Sequence, residues 1–269
     1  MSIKDLSNQI RLDIVKMINL GSSSHIGSAL SCVDLIISLY KYFLRFDPNN
    51  PEDPDRDIFI LSKGHAGAAV YATLANLGFF DRKKLETHYQ NDSDLSGHVS
   101  HKNVPGVEFS TGSLGHGLSV AAGIALAIKK KNQPRKVCVL MSDGECDEGS
   151  IWEAAMFSSH HKLNNLLCVI DYNKLQSLDT VANTLELEPF TMKWTSFGWN
   201  VFECNGHDFE EIESLLKKVG QSDKPVCIIA NTTKGKGISF MENSVLWHYR
   251  APKDDEYDNA IKELEMSKP

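Results

Sequence analysis

Two short apolar runs in this sequence end in oxygen-bearing side chains. Val137–Met141 leads into Ser142-Asp143-Gly144-Glu145, and Leu166–Ile170 leads into Asp171-Tyr172-Asn173-Lys174. A carboxylate and an amide oxygen on neighbouring loops suit a hard cation such as Mg²⁺, which wants six oxygens but takes only one or two carboxylates. Asp143, the Asn173 side chain and one nearby backbone carbonyl would supply three ligands; two diphosphate oxygens and a water would complete the shell. Gly144 would let the backbone come close to a phosphate. The plainer alternative is two polar strand ends lying side by side. Read as a calcium loop from Asp143, the sixth position is Glu148 instead of glycine and the twelfth is Ala154 instead of glutamate. GSLGHG (112–117) does not fit the dinucleotide fingerprint, and KGKGIS (234–239) does not fit the P-loop.

Histidine supplies the second set of candidates. Four follow glycine directly, at His65, His98, His116 and His207, and His25 sits in SSSHIGS. Neutral imidazole donates and accepts hydrogen bonds and titrates near neutrality, which suits proton transfer. Singly, each reads as a structural or surface residue. Beside the acidic site they suggest a polar pocket for a hydroxylated substrate.

Strand ends can gather such groups only if the strands lie in one sheet. Apolar runs at 57–61, 136–141, 166–170, 200–204 and 225–230 read as strands buried on both faces, as in a parallel sheet. Helical periods at 64–78, 115–131, 149–162 and 208–219 alternate with them, and two more helices, near 4–19 and 31–44, precede the first strand. The pattern predicts an α/β fold: a doubly wound, mostly parallel sheet flanked by helices, with ligands beyond the carboxyl ends of the strands. The Pro/Asp-rich segment 44–57 reads as a surface connection, and DDEYDNAIKELEM (254–266) as an acidic helix.

At 269 residues and 42% hydrophobic, the chain suffices for one large domain. Its net charge of -7 argues against a general nucleic-acid binder. The run Lys129-Lys130-Lys131 reads as a helix C-terminus that suits the helix dipole. No apolar run approaches the ~20 residues of a membrane span. The N-terminus reads as an amphipathic helix and not a signal peptide. Six scattered cysteines without a CxxC pair read as reduced core residues of a cytoplasmic protein.

With SDGE…DYNK, LSKGHAG, TGSLGHGLS and KGKGISFMENSVLWH in view, the chain resembles the transketolase family, specifically its N-terminal, diphosphate-binding portion. The likeness runs from His25 to His248, so the whole chain, 1–269, reads as a single thiamine diphosphate-binding domain. The resemblance implies thiamine diphosphate as cofactor, with Mg²⁺ (or another divalent cation such as Ca²⁺ or Mn²⁺) held by Asp143, Asn173 and the Leu175 carbonyl. Gly144 and Asn173 would contact the diphosphate, and Gly112, Ser113 and Leu114 would line the cofactor's path. Lys63, His65, Lys234 and His248 match further cofactor-binding positions, and His25, His65, His98 and His248 match catalytic ones.

The implied activity is transfer of a two-carbon ketol unit from a ketose phosphate to an aldose phosphate. Ser142 stands where the family usually has glycine, and His116 where glutamine is frequent. GHVSH replaces a common GHP, so His98 and His101 compete for one role, with His98 preferred because it keeps the Gly-His pair. The pyrimidine-binding and C-terminal domains of the family have no counterpart here. The expectation is therefore the N-terminal subunit of a split transketolase. It would be active only with a C-terminal subunit on a separate chain, in a hetero-oligomer with two copies of each. The alternatives are a subunit like 1-deoxyxylulose-5-phosphate synthase and a non-catalytic cofactor-binding regulatory relative.

Overall fold

The computed structural model describes residues 1–267. Five parallel strands form one sheet in the order β1-β2-β3-β5-β4: β1 Ile58–Leu61, β2 Val137–Ser142, β3 Leu166–Tyr172, β4 Asn200–Asn205 and β5 Val226–Asn231. The expected doubly wound α/β fold is thus borne out, and every strand falls where the apolar runs stand.

Alternation along each strand divides the core in two. Phe59, Leu61, Cys138, Leu140, Leu167 and Val169 face α1 (Ile3–Gly21), α2 (Ile26–Ser31), α3 (Val33–Tyr42), α4 (Gly67–Asn76), α9 (Phe209–Leu216) and α10 (Asp255–Met266). Ile58, Ile60, Val137, Val139, Leu166 and Ile170 face α5 (Gly117–Lys130), α6 (Gly149–His160), the short α7 (Val181–Thr184) and α8 (Phe190–Ser196). A sheet covered on both faces explains why the central runs are apolar throughout.

Three expectations need correction. β4 is not buried on both faces: it is the sheet edge, and of its residues only Cys204 is buried. The helix expected over 31–44 is two, α2 and α3, joined at Cys32, because α2 begins directly after His25. The helix expected over 64–78 opens as a 3-10 turn over Gly64–Ala66 before α4. The 44–57 connection does run without regular structure, but its last residue is inside: Asp57 accepts from the Arg45 amide at 2.9 Å and the Lys136 amide at 2.8 Å, clamping the entry to β1. α1 begins with a capping box, in which Ser2 Oγ accepts from the Asp5 amide and the Asp5 carboxylate accepts from the Ser2 amide. All six cysteines are free and buried, and among the described residues no helix is long and apolar enough to cross a membrane.

The residues just past β1 lock the carboxyl edge of the sheet. Lys63 and Asp171, both without exposed side-chain surface, form an ion pair; Ser31 Oγ donates to Asp171 at 2.6 Å, Thr232 Oγ1 donates to its other oxygen, and Lys63 Nζ also donates to the Ser28 carbonyl at 3.2 Å. One pair thus ties β1, β3, the end of β5 and α2. Burial alone would lower the Lys63 pKa and raise that of Asp171, yet each holds the other charged, so Lys63 lies above and Asp171 below its ordinary value. Replacing Lys63 by Met keeps the stem and strands Asp171 without its cation. It is expected to cost about 3–5 kcal/mol in urea unfolding. Lys63→Met combined with Asp171→Asn removes both charges and should recover most of that loss; a single variant as stable as the double would show that the pair is not the anchor.

Candidate active site

The sheet edge opens into a cleft of about 240 Å³ whose lining comes from chain segments far apart in sequence. One end is built from strand ends. Asp143 and Asn173 follow β2 and β3, which are adjacent and in register, with Ser142 beside Asp171. Asp143 is buried; its two oxygens accept from the amides of Gly144 at 2.8 Å and Lys174 at 2.7 Å. Lys174 takes a left-handed conformation that turns its amide back toward Asp143. Asn173 Oδ1 accepts from the Leu175 amide at 3.1 Å.

Asp143 has no ion-pair partner among the described residues. Burial, then the neighbouring Asp171 charge, raise its pKa to about 6. The Leu175 carbonyl already faces a positive group, since Lys234 Nζ donates to it at 2.9 Å and to the Gln176 carbonyl at 2.8 Å. A buried carboxylate lacking a cation, an amide oxygen and a carbonyl that attracts positive charge form a hard-oxygen donor set with one full charge, which fits Mg²⁺.

The other end is a ring of imidazoles. The His25 ring centroid lies 5.2 Å from His65, 5.5 Å from His98 and 5.1 Å from His248. His25 holds a left-handed conformation immediately before α2, and its amide donates to the His248 carbonyl at 2.8 Å. Its Nδ1 pairs with Ser24 Oγ at 2.8 Å, and His65 Nε2 pairs with Ser28 Oγ at 3.2 Å. Burial is the main influence on three of the rings. It lowers His25 to about 4, with help from His98, Lys234 and Lys63, and His248 to about 3, with help from Lys234, His25 and Lys63. His65 falls well below its ordinary value for the same reason, reinforced by Lys63. These are neutral imidazoles at pH 7, each able to donate and accept a hydrogen bond.

The wall between the two ends is the loop 112–117. Gly115 has φ +86, and a Cβ there would meet Glu148 Cβ at 2.8 Å, so glycine is required. The Gly115 amide donates to buried Glu145 at 2.9 Å, Ser62 Oγ donates to the same Glu145 oxygen, and Ser62 Oγ accepts from the Gly117 amide at 3.0 Å. Glu145 therefore sets this loop from inside the protein.

Of the site residues expected from sequence, His25, His65, His98, Gly112, Leu114, Asp143, Gly144, Asn173, Leu175 and His248 line the cleft together. Three do not. Ser113 is exposed on the loop, Lys63 is sealed beneath the floor with Asp171, and Lys234 lies in the wall with its ammonium on two carbonyls and, at 3.1 Å, on His248 Nδ1. His98 is in the cleft, whereas His101 is on the surface, bonded to Ser110. Sequence reading missed Ser28, Ser142, Gln176, Ser177 and Tyr249, which also line it. Ser28 could have been found, since it lies one helical turn beyond His25; Gln176 and Ser177 carry no such signal.

The sequence matches the family described as "Transketolase, thiamine diphosphate binding domain" over residues 2–268. It is 43% identical over 251 residues to one of the two-part apulose-4-phosphate transketolase subunits of Actinobacillus succinogenes, covering 93% of this chain and 91% of that protein. It is 38% identical to a 6-deoxy-6-sulfo-D-fructose transketolase subunit of Clostridium sp., covering 96% of this chain and 94% of that one. Against human transketolase it is 34% identical over 98% of this chain but 42% of the relative. A crystal structure of transketolase from Campylobacter jejuni superposes with a TM-score of 0.92 at 30% identity, over 98% of this chain and 43% of that chain. The chain thus spans less than half the length of the full transketolases it matches and nearly all of the subunit-sized relatives. It belongs to the transketolase family, as a thiamine diphosphate-binding domain.

Proposed function

We propose that this chain is the cofactor-holding subunit of a two-chain transketolase that moves a two-carbon ketol unit from a ketose phosphate to an aldose phosphate. The observation that carries the reading is one cleft with a hard-oxygen, one-carboxylate end and a ring of neutral imidazoles at the other. Thiamine diphosphate, when bound, supplies the carbanion chemistry that breaks and forms the carbon–carbon bond. Asp143, Asn173 and the Leu175 carbonyl would hold Mg²⁺ at its diphosphate, with Gly144 beside the phosphates and Gly112 and Leu114 along its length. Lys234, free to turn from the carbonyls once a metal takes one of them, would add positive charge there. His25, His65, His98 and His248 would hold and move protons at the substrate's hydroxyl and carbonyl oxygens. Depressed pKa values suit them for that work, because an imidazole that starts neutral can accept a proton.

Dependence on a partner chain is supported by the two relatives of matching length, which are named as subunits. It is supported also by exposed apolar side chains next to the cleft residues in sequence: Leu178 at 82%, Leu246 at 57% and Tyr249 at 62% exposure. We infer a hetero-oligomer with two copies of each chain, working in the cytoplasm, where six free buried cysteines stay reduced. The subunit names of those relatives favour a transketolase over a 1-deoxyxylulose-5-phosphate synthase-like activity, and the complete donor and histidine sets favour an enzyme over a regulatory binder.

Three outcomes are expected. Asp143→Ala removes the one full charge offered to the metal and should weaken Mg²⁺-dependent cofactor binding at least about tenfold by isothermal titration, or ~1.4 kcal/mol; unchanged binding would remove the metal assignment. His65→Ala and His98→Ala should lower turnover of the reconstituted enzyme by roughly ten- to ten-thousandfold, with cofactor affinity affected less. His101→Ala serves as control and should change little, and a loss there equal to that of His98→Ala would reverse the choice between them. Finally, this chain alone, saturated with thiamine diphosphate and Mg²⁺, should show no ketol transfer until its partner is added. Appreciable turnover by a preparation free of other chains by mass spectrometry would overturn the two-chain reading.

A further inference from the structure

We propose that His207 is a positioning residue that sets Lys234 in the cleft wall, acting through the backbone of the loop 233–236; its bearing on the cofactor rests on the reading above. His207 lies beyond the end of β4, away from the cleft, and belongs to none of the roles already assigned. Its Nε2 accepts from the Thr233 amide at 2.9 Å, so this nitrogen carries no proton. Its Nδ1 therefore carries the proton and donates to Asp34 Oδ2 at 2.7 Å. The ring is neutral and held in one tautomer by two bonds that leave it no other orientation.

Asp34 is the hub of this device. Arg11 grips both its oxygens, with Nη2 at 2.7 Å and Nη1 at 3.0 Å, and Ser7 Oγ donates as well. Burial alone would raise the Asp34 pKa, but Arg11 and the hydrogen bonds from His207 and Ser7 hold it well below the usual carboxylate range. Arg11 Nε then donates to the Lys236 carbonyl at 3.1 Å. From one buried carboxylate, two arms thus reach the same loop: His207 holds it at Thr233 and Arg11 at Lys236. Lys234 and Gly235 lie between the two grips.

The loop has little freedom left. Gly235 has φ +79, and a Cβ there would meet the Met241 carbonyl oxygen at 2.3 Å. Its amide donates to the Gly27 carbonyl at 3.0 Å, and a Cβ on Gly27 would touch Lys234 Cγ at 3.2 Å. The stem of Lys234 therefore runs against the start of α2, which directs the ammonium to Leu175, Gln176 and His248. Releasing Thr233 would let the loop rotate about Gly235 and withdraw that ammonium.

The test uses the full chain with ¹⁵N-labelled histidine. In the wild type, His207 Nε2 should behave as an unprotonated acceptor coupled across the hydrogen bond to the Thr233 amide, with Nδ1 protonated. A protonated Nε2 at neutral pH would overturn the proposal whatever any variant does. His207→Phe keeps an aromatic ring and deletes both bonds. It should shift the His248 Nδ1 signal and weaken binding of thiamine diphosphate with Mg²⁺ by about ten- to a hundredfold, the usual range for a supporting residue. His207→Gln, whose amide can accept from Thr233 and donate to Asp34, should restore most of both. Unchanged His248 signals and unchanged affinity in His207→Phe would refute the role. A wild-type chain that fails to bind the cofactor would count against the cofactor reading alone, and the nitrogen signals would still decide the role of His207.

Discussion

The site depends on one buried ion pair. Lys63 and Asp171 sit where β1 and β3 end, and α2 and the segment after β5 converge on the same two charges through Ser31, the Ser28 carbonyl and Thr232. Desolvating two charges is expensive, and the pair repays that cost only with good geometry and further hydrogen bonds, all of which it has. Its neighbour Ser62 points the other way and holds the loop 112–117 through Glu145. Two consecutive residues after a four-residue strand thus set opposite walls of the cleft, because side chains alternate along an extended chain.

The same pair shapes the electrostatics above it. Lys63 gives its charge to Asp171 and still repels a proton from His65, His25 and His248. Lys234 adds to that effect at His25 and His248, and burial is larger than either. Asp143 shows the opposite balance. It lies beside Asp171, has no cation of its own among the described residues, and its pKa rises toward neutrality. One end of the cleft therefore attracts a cation while the other keeps its imidazoles free of protons. That contrast lets a single cleft anchor an anionic, metal-bound group at one end and manage protons at the other.

Much of this is legible in the sequence, for physical reasons. The central strands are covered on both faces, so their runs are continuously apolar and their positions stand out to within a residue or two. Asp143 and Asn173 can be placed together because parallel strands in an α/β sheet end at the same edge. Gly-His pairs and the SDGE, DYNK and SKGHA segments carry the family likeness. β4 departs from the expectation because an edge strand keeps one flank open, and NVFEC already shows that in its polar residues.

Which charges meet is decided only by the tertiary structure. Lys63 and Asp171 are 108 residues apart, and Asp34 and His207 are 173 apart; no local period links them. Lys63 reads as a cofactor-binding lysine in a motif, yet the fold seals it beneath the floor with a carboxylate. His98 and His101 compete on nearly equal terms in sequence, and only the packing of their loop turns one into the cleft and the other to Ser110. Chain composition and periodicity determine which segments become strands and where polar groups emerge from them. The partners those groups find depend on which distant segments the folded sheet brings within hydrogen-bond reach.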